Sequence, residues 1–260
     1  MSEAPRIFSE DYYERMRLLE SASWWNAGMR DIASTMLKHA NLDGSGTMLD
    51  VGCGSGQTMA WFTSNRPGWN AAGLDIAKDG VIAARSAGLA VVTGNALELP
   101  FESSSADLVI TLDVLQHLPL PAGDVDCLRE IRRVLRPGGY LFIRTNCQSV
   151  PRATEDPVNS FRKYEPAQLR EKLDQAGFEV LSLSRANAVL GLAEVARELR
   201  ATRREGAGYH GLLAVPGRPG GLAYSAKRAM LRVEAALIGA GAGLPFGRSI
   251  VALCRKPPAA

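Results

Sequence analysis

The sequence predicts an α/β fold built on a mostly parallel sheet, and three observations carry that expectation. From Thr47 onward, short apolar runs alternate with stretches of helical periodicity, an order that implies a parallel sheet covered on both faces. The first apolar run ends in the glycine-rich turn Gly52-Cys53-Gly54-Ser55-Gly56, which lets a strand turn tightly into a helix. Hydrophobic residues make up 46% and charged residues 22% of the 260, a near-average globular composition that argues against a disordered, collagen-like or coiled-coil chain.

The elements follow in order. Residues 9–38 read as an amphipathic helix, because Trp25, Met29, Ile32 and Met36 repeat at 4-3-4 spacing on one face. The polar, Gly-bearing stretch 41–46 breaks it. Strands are expected at 48–51, 71–75, 89–93, 107–112 and 140–145. The helix carrying Val125, Leu128, Ile131 and Leu135 should stop at Arg136-Pro137-Gly138-Gly139, where Pro and Gly end helical backbone. A helix after Pro166, a sixth strand at 178–183 and a last strand at 250–254 complete the sheet. Between those two strands, Val189, Leu192, Val195 and Leu199 suit one helix, and Leu222, Ala226, Met230, Val233 and Leu237 a second. The six glycines and two prolines of 206–221 suit a loop between them.

A formal charge of +3 is too weak for a dedicated nucleic-acid binder. No run of about 18 apolar residues suggests a membrane span, and the first residues lack a signal pattern. Cys53, Cys127, Cys147 and Cys254 form no CxxC pair. They read as reduced, mostly structural thiols of a cytoplasmic protein.

Backbone N–H groups in a turn such as 52–56 can bind a polar or anionic group. On its own a GxG turn is a weak signal, since many sheet proteins carry one only to pack a helix on a strand. Three features strengthen it. Asp75 ends the second strand, where an acid can accept both hydroxyls of a ribose. Asn95, Ala96 and Leu97 follow the third strand and could contact an adenine edge and ring. The fourth strand runs into Leu112-Asp113-Val114-Leu115-Gln116-His117, at the carboxyl end of the sheet where ligands of such folds gather.

Together these residues resemble the class I S-adenosylmethionine-dependent methyltransferases. LDVGCGSG is similar to the first motif of that family, GLDI to the second, GNALELPFESSSADLVITLDVLQHL to the third and fourth, and LREIRRVLRPGGYLFI to the lead into the fifth strand. The outer segments resemble a bacterial branch of the type 11 methyltransferases, through Trp24-Trp25, Arg162-Lys163-Tyr164, the helical insertion near 185–245 and the ending Leu244-Pro245-Phe246-Gly247-Arg248-Ser249. The resemblance implies a Rossmann-like, seven-stranded, mostly parallel sheet. Its parts would be an N-terminal helical lid (1–46), a cofactor-binding core (47–184), a helical cap insertion before the last strand (185–247) and that strand (248–260).

It also implies S-adenosylmethionine as cofactor. Asp50, Gly52, Cys53, Gly54 and Gly56 would hold its methionine end, Asp75 the ribose, and Ile76, Asn95 and Ala96 the adenine, with Leu112 meeting it through the backbone. Where the family often has Asp, this chain has Asn95, whose amide oxygen can still accept a hydrogen bond. His117 is the candidate base, with packing or helix capping as the plainer role, and His210 is its rival. Tyr13, Trp24 and Trp25, with Tyr12, could form an aromatic lid attracted to a sulfonium or simply core. Arg162 and Tyr164 could reach the acceptor or only start a helix. Arg197, Arg200 and Arg204 read as a solvated face. No metal site is expected, because too few oxygen ligands lie near Asp113 and His117.

The expected reaction is methylation of a small-molecule acceptor in a bacterial tailoring pathway, on oxygen, nitrogen or carbon, and nothing in the sequence fixes an oligomeric state. A protein or RNA methyltransferase is the alternative; the fourth strand lacks the Pro-Pro-aromatic motif of many nucleic-acid amino methylases. A nicotinamide-dependent oxidoreductase fits less well, because its GxGxxG motif needs glycine where this chain has Gln57.

Overall fold

The computed structural model describes residues 23–148, 162–188 and 221–258. In chain order the elements are α1 (Trp24–Leu37), β1 (Gly46–Val51), α2 (Gln57–Asn65), β2 (Trp69–Asp75), α3 (Lys78–Ser86), β3 (Ala90–Thr93) and β4 (Ala106–Leu112). A single 3-10 turn (Leu115–His117) leads to α4 (Gly123–Val134), β5 (Leu135–Asn146), α5 (Pro166–Gln175), β6 (Glu179–Ala186), α6 (Leu222–Gly239) and β7 (Ser249–Arg255).

One seven-stranded sheet runs β3-β2-β1-β4-β5-β7-β6. β1 pairs in parallel with β2 and β4, β2 with β3, and β4 with β5, while β7 lies antiparallel to both β5 and β6. The order reverses between β1 and β4, which opens a crevice at their carboxyl ends.

The central strands are buried on both faces, and their alternation sorts the core into two layers. Leu49, Val51, Val109, Leu141 and Ile143 face Leu128 and Ile131 of α4 and Leu169 and Leu173 of α5. Met48, Leu108, Ile110 and Phe142 face Ile32 and Met36 of α1, Phe62 of α2, Val81 of α3 and Ile238 of α6. Val51, Met48, Leu108 and Leu141 are completely buried, so a one-residue slip of register would exchange the two layers. β5 starts at Leu135 rather than near 140, because Leu135 pairs with Ala106 ahead of a register shift. α5 begins as its sequence suggests, with Pro166 in the first turn and a capping box joining Glu165 and Gln168.

α1 and α6 pack side by side on the second layer. Gly28 lets them close, since a Cβ there would stand 2.1 Å from Leu231 Cδ1. Asp31 pairs with Arg228 at 2.8 Å, and His39 Nε2 meets Gly239 O at 2.7 Å. The apolar stripe that suggests α6 in the sequence lies on its outer side: Leu222, Met230, Val233 and Leu237 are exposed, and the helix buries Leu231, Glu234, Ala235 and Ile238 instead. The four cysteines are free and buried. Among the described residues no helix is long and apolar enough to cross a membrane.

Candidate active site

The glycine turn grows out of β1. Asp50, 1% exposed, is bonded into the sheet beside Gly73 and Ile110. Past Val51, the N–H groups of Gly52 and Cys53 both donate to Leu74 O, at 2.8 and 3.0 Å, which ties the turn to β2. Gly52, Gly54 and Gly56 all have left-handed φ, at 83°, 50° and 79°, where a side chain is disfavoured. Space adds a second constraint at Gly52, because a Cβ there would sit 2.1 Å from Val114 Cγ2. The glycine turn and the turn after β4 are therefore in direct contact. Burial, reinforced by Asp50 and Asp75, pushes the Cys53 thiol far up, so it stays protonated and acts as packing.

Asp75 closes the turn from β2. Its Oδ2 accepts from Gly54 N and its Oδ1 from Ala77 N, each at 2.8 Å. A carboxylate has about four acceptor positions, so each oxygen keeps capacity for a second donor. Beside it Ile76 is 67% exposed, an apolar surface next to a polar acceptor. Gly94 N donates to Asp75 O at 3.0 Å, which brings the turn after β3 alongside. There Ala96 is buried, while exposed Asn95 uses its Oδ1 to accept from Leu97 N at 3.0 Å. Its amide thus first holds its own turn.

This donor set suits a nucleoside with an amino-acid arm: carboxylates at the ends of two adjacent strands, a turn of positive-φ glycines between them, and an exposed aliphatic side chain for a flat base. Comparison with known proteins decides the assignment. Residues 49–143 match the family model described as a methyltransferase domain. Over these residues the chain matches an S-adenosylmethionine-dependent methyltransferase domain.

Among similar proteins, a probable S-adenosylmethionine-dependent methyltransferase of Mycolicibacterium smegmatis is 32% identical over 151 residues, covering 57% of this chain and 58% of that protein. A fatty-acid O-methyltransferase of the same organism is 38% identical over 105 residues, 39% of this chain and 37% of its own length. The chain thus spans roughly a third to three fifths of these relatives. Haemonchus contortus phosphoethanolamine N-methyltransferase 2, solved with S-adenosylmethionine, superposes with a TM-score of 0.65 over 96% of this chain and 58% of that one, at 16% identity, a likeness of fold.

At the carboxyl end of β4, Leu112 is half-buried and Asp113 has a left-handed φ of 59°. Arg144 of β5 grips Asp113 Oδ2 through Nη2 at 2.5 Å and Nε at 3.0 Å, and Asp113 N donates to Arg144 O at 2.8 Å. His117 lies in the 3-10 turn, at the surface. Desolvation by the surrounding protein lowers its pKa, and Asp113 opposes this, so the net shift favours the neutral ring. Gln116 Oε1 accepts from Asn146 N at 3.1 Å and from Thr145 Oγ1 at 3.3 Å, which fixes the turn to β5.

The aromatic pair of α1 already has cations of its own. The Arg144 guanidinium lies 4.6 Å from the Trp25 ring centroid, and Lys227 Nζ lies 5.1 Å from that of Trp24. Arg162 and Tyr164 also depart from the expected acceptor contact. Tyr164 is 1% exposed, and its hydroxyl bonds Asp124 Oδ2 at 3.0 Å and Leu115 O at 3.2 Å. Arg162 forms an ion pair with the same wholly buried Asp124 and donates to Leu118 O and Pro119 O. The two are struts beneath the turn after β4, and they edge an open surface cavity of about 340 Å³ beside α5. Burial would raise the Asp124 pKa, but hydrogen bonds from Lys172, Arg162 and Tyr164 outweigh it and hold the carboxyl below its ordinary range.

Tyr12, Tyr13, Arg197, Arg200, Arg204 and His210 lie outside the described residues. Sequence reasoning missed Arg144 and Asp124. Arg144 had a readable signal, a lone charge in the apolar strand Tyr140-Leu141-Phe142-Ile143-Arg144. Asp124 had none, since it resembles an ordinary first-turn acid.

Proposed function

We propose that this chain transfers the methyl group of S-adenosylmethionine to a small-molecule acceptor at the carboxyl end of β4. The supporting observation is the contact between Gly52 and Val114, which joins the cofactor turn directly to the segment bearing Asp113 and His117. The relative that methylates a fatty acid on oxygen supports a small acceptor. We extend the reading to a bacterial tailoring role on oxygen, nitrogen or carbon, with α1 and α6 as parts of a lid and cap over the core and the segment boundaries expected from the sequence.

When bound, the cofactor supplies an activated methyl group on sulfur. The chain's own work is orientation and proton removal. Asp75 and Ile76 would grip the ribose and base, and Asp50 with the backbone at 52–56 the amino-acid arm, with Asn95, Ala96 and Leu112 beside them. Holding the reactants in line converts an encounter into a unimolecular event, which alone supplies much of the rate. A neutral His117 can take the proton of an acceptor hydroxyl. Trp24 and Trp25 would wall the acceptor side.

The test is incubation with methyl-labelled S-adenosylmethionine and a panel of a fatty acid, a phenol and a primary amine. Label should enter one class in the wild type and enter it far more slowly in Asp75→Ala at the same limiting cofactor concentration. Label found only in added protein or RNA would overturn the small-molecule reading.

A further inference from the structure

A continuous polar chain crosses the carboxyl end of the sheet, and methyl transfer as described makes no use of it. It starts at Asp113, after β4, and passes to Arg144 of β5 through the ion pair at 2.5 Å. The Arg144 guanidinium then stacks on Trp25 of α1. Trp25 Nε1 donates to Asn187 Oδ1 at 3.1 Å. Asn187 in turn donates from its backbone N to Glu234 Oε2 of α6, and from Nδ2 to Ser249 Oγ of β7, both at 2.9 Å. Six elements at this end of the sheet are thus linked: the ends of β4, β5 and β6, the start of β7, and the helices α1 and α6.

Two physical features mark this chain as more than surface decoration. Arg144 is 11% exposed, and a guanidinium so far from water is tolerated only with a carboxylate and a stacking face to replace its hydration. Both are present. The chain also has left-handed backbone at Asp113, where it begins, and at Asn187, where it branches to α6 and β7. Asp113 at 59° and Asn187 at 62° are two of the three non-glycine residues with positive φ among those described. Such backbone costs free energy and persists where side-chain contacts over-determine it. Here the contacts that do so are the Arg144 fork at one end and the Trp25, Glu234 and Ser249 bonds at the other.

We propose that Arg144 is a positioning residue for methyl transfer. It holds the turn that carries Asp113 and His117, and the helix that carries Trp24 and Trp25, in one fixed relation at the acceptor end of the crevice. This role rests on the transferase reading above. Asp75 bonds Gly54 N and Ala77 N rather than any link of the chain, and the glycine turn meets the turn after β4 at Val114, beside the chain rather than within it, so cofactor affinity and acceptor alignment should separate when it is cut.

Three variants test it. Arg144→Met removes the fork and keeps the stem, Arg144→Lys keeps the charge, and Trp25→Phe keeps a ring without its N–H. Affinity for S-adenosylhomocysteine is measured by calorimetry, hydrogen exchange of the Trp25 indole N–H by NMR, and turnover with the panel member that the wild type methylates. Arg144→Met should keep its affinity for S-adenosylhomocysteine within about threefold, lose the protection of the Trp25 N–H, and lose about 100-fold in kcat, the scale expected of a small misalignment. Arg144→Lys should recover part of both losses. If Arg144→Met does not fold, Trp25→Phe carries the test, with turnover falling at unchanged affinity.

Unchanged Trp25 protection in Arg144→Met, or an affinity for S-adenosylhomocysteine that falls as steeply as turnover, would overturn the positioning role alone. A wild type with no affinity for S-adenosylhomocysteine would instead overturn the transferase reading, and the positioning role with it.

Discussion

Asp75 has a structural duty that precedes its proposed role in binding. It accepts from Gly54 N and Ala77 N, so it shapes the glycine turn before any ligand arrives. Replacing it with Ala removes an ionised acceptor, and hydrogen bonds to charged groups contribute about 1.5–3 kcal/mol each. Calorimetry should therefore find S-adenosylhomocysteine bound roughly 10- to 150-fold more weakly, together with a lower unfolding temperature, since two backbone N–H groups lose their partner. An unchanged dissociation constant would remove Asp75 from the site. His117 gives a sign as well as a size. Its pKa is lowered from 6.5 in the fold, so a base at this position should make activity rise with pH through a midpoint below 6.5 and stay flat above pH 7. His117→Ala should abolish that rise. A wild-type profile with its midpoint above 6.5, or an unaltered profile in the variant, would assign the histidine to packing.

Single elements owe their placement to close approaches and buried charge. Gly28→Ala is an informative change, because alanine favours an isolated helix by about 1 kcal/mol and would normally stabilise. In α1 the new methyl would stand 2.1 Å from Leu231 Cδ1 and 2.7 Å from its Cβ. Overpacking of that kind costs about 1–3 kcal/mol, so urea unfolding should show net destabilisation. A more stable variant would mean that α1 and α6 do not meet at Gly28. Under the turn after β4, Asp124→Asn should cost about 3–5 kcal/mol, because Arg162 and Lys172 would lose their shared anion. The Asp124 carboxyl titrates below its ordinary 3.8 in the fold, so its stabilisation is complete above that value and drains away as pH falls through the lower folded one. Acid unfolding of the variant should accordingly be less steep than that of the wild type, and equal steepness would deny Asp124 this role. Neither contact was legible in the sequence. Periodicity placed α6 correctly but suggested the wrong face, because alanines line much of the helix and one residue of its buried face is the charged Glu234. Arg162 and Tyr164 looked available for substrate because nothing in the chain order announces an acid some 40 residues earlier.

Across the whole molecule, what could be read was what is local. β1 and β2 appear in the sequence because apolar runs stop at Gly52 and Asp75, and the crevice because Gly52, Gly54 and Gly56 keep a spacing that backbone geometry demands. What could not be read depends on long-range contact: the Arg144 link to Trp25, the Asn187 junction, and the direct seating of the glycine turn against Val114. The glycine turn proposed to cradle the cofactor is therefore a feature of motif, and the end proposed for the acceptor is a feature of assembly. The most direct test of the central claim is an isothermal titration of the purified full chain with S-adenosylhomocysteine. A single site per chain, weakened by Asp75→Ala and indifferent to reduced nicotinamide nucleotide, is the predicted result. Absence of heat with S-adenosylhomocysteine and S-adenosylmethionine alike, or saturable binding of the nicotinamide nucleotide in their place, would contradict it.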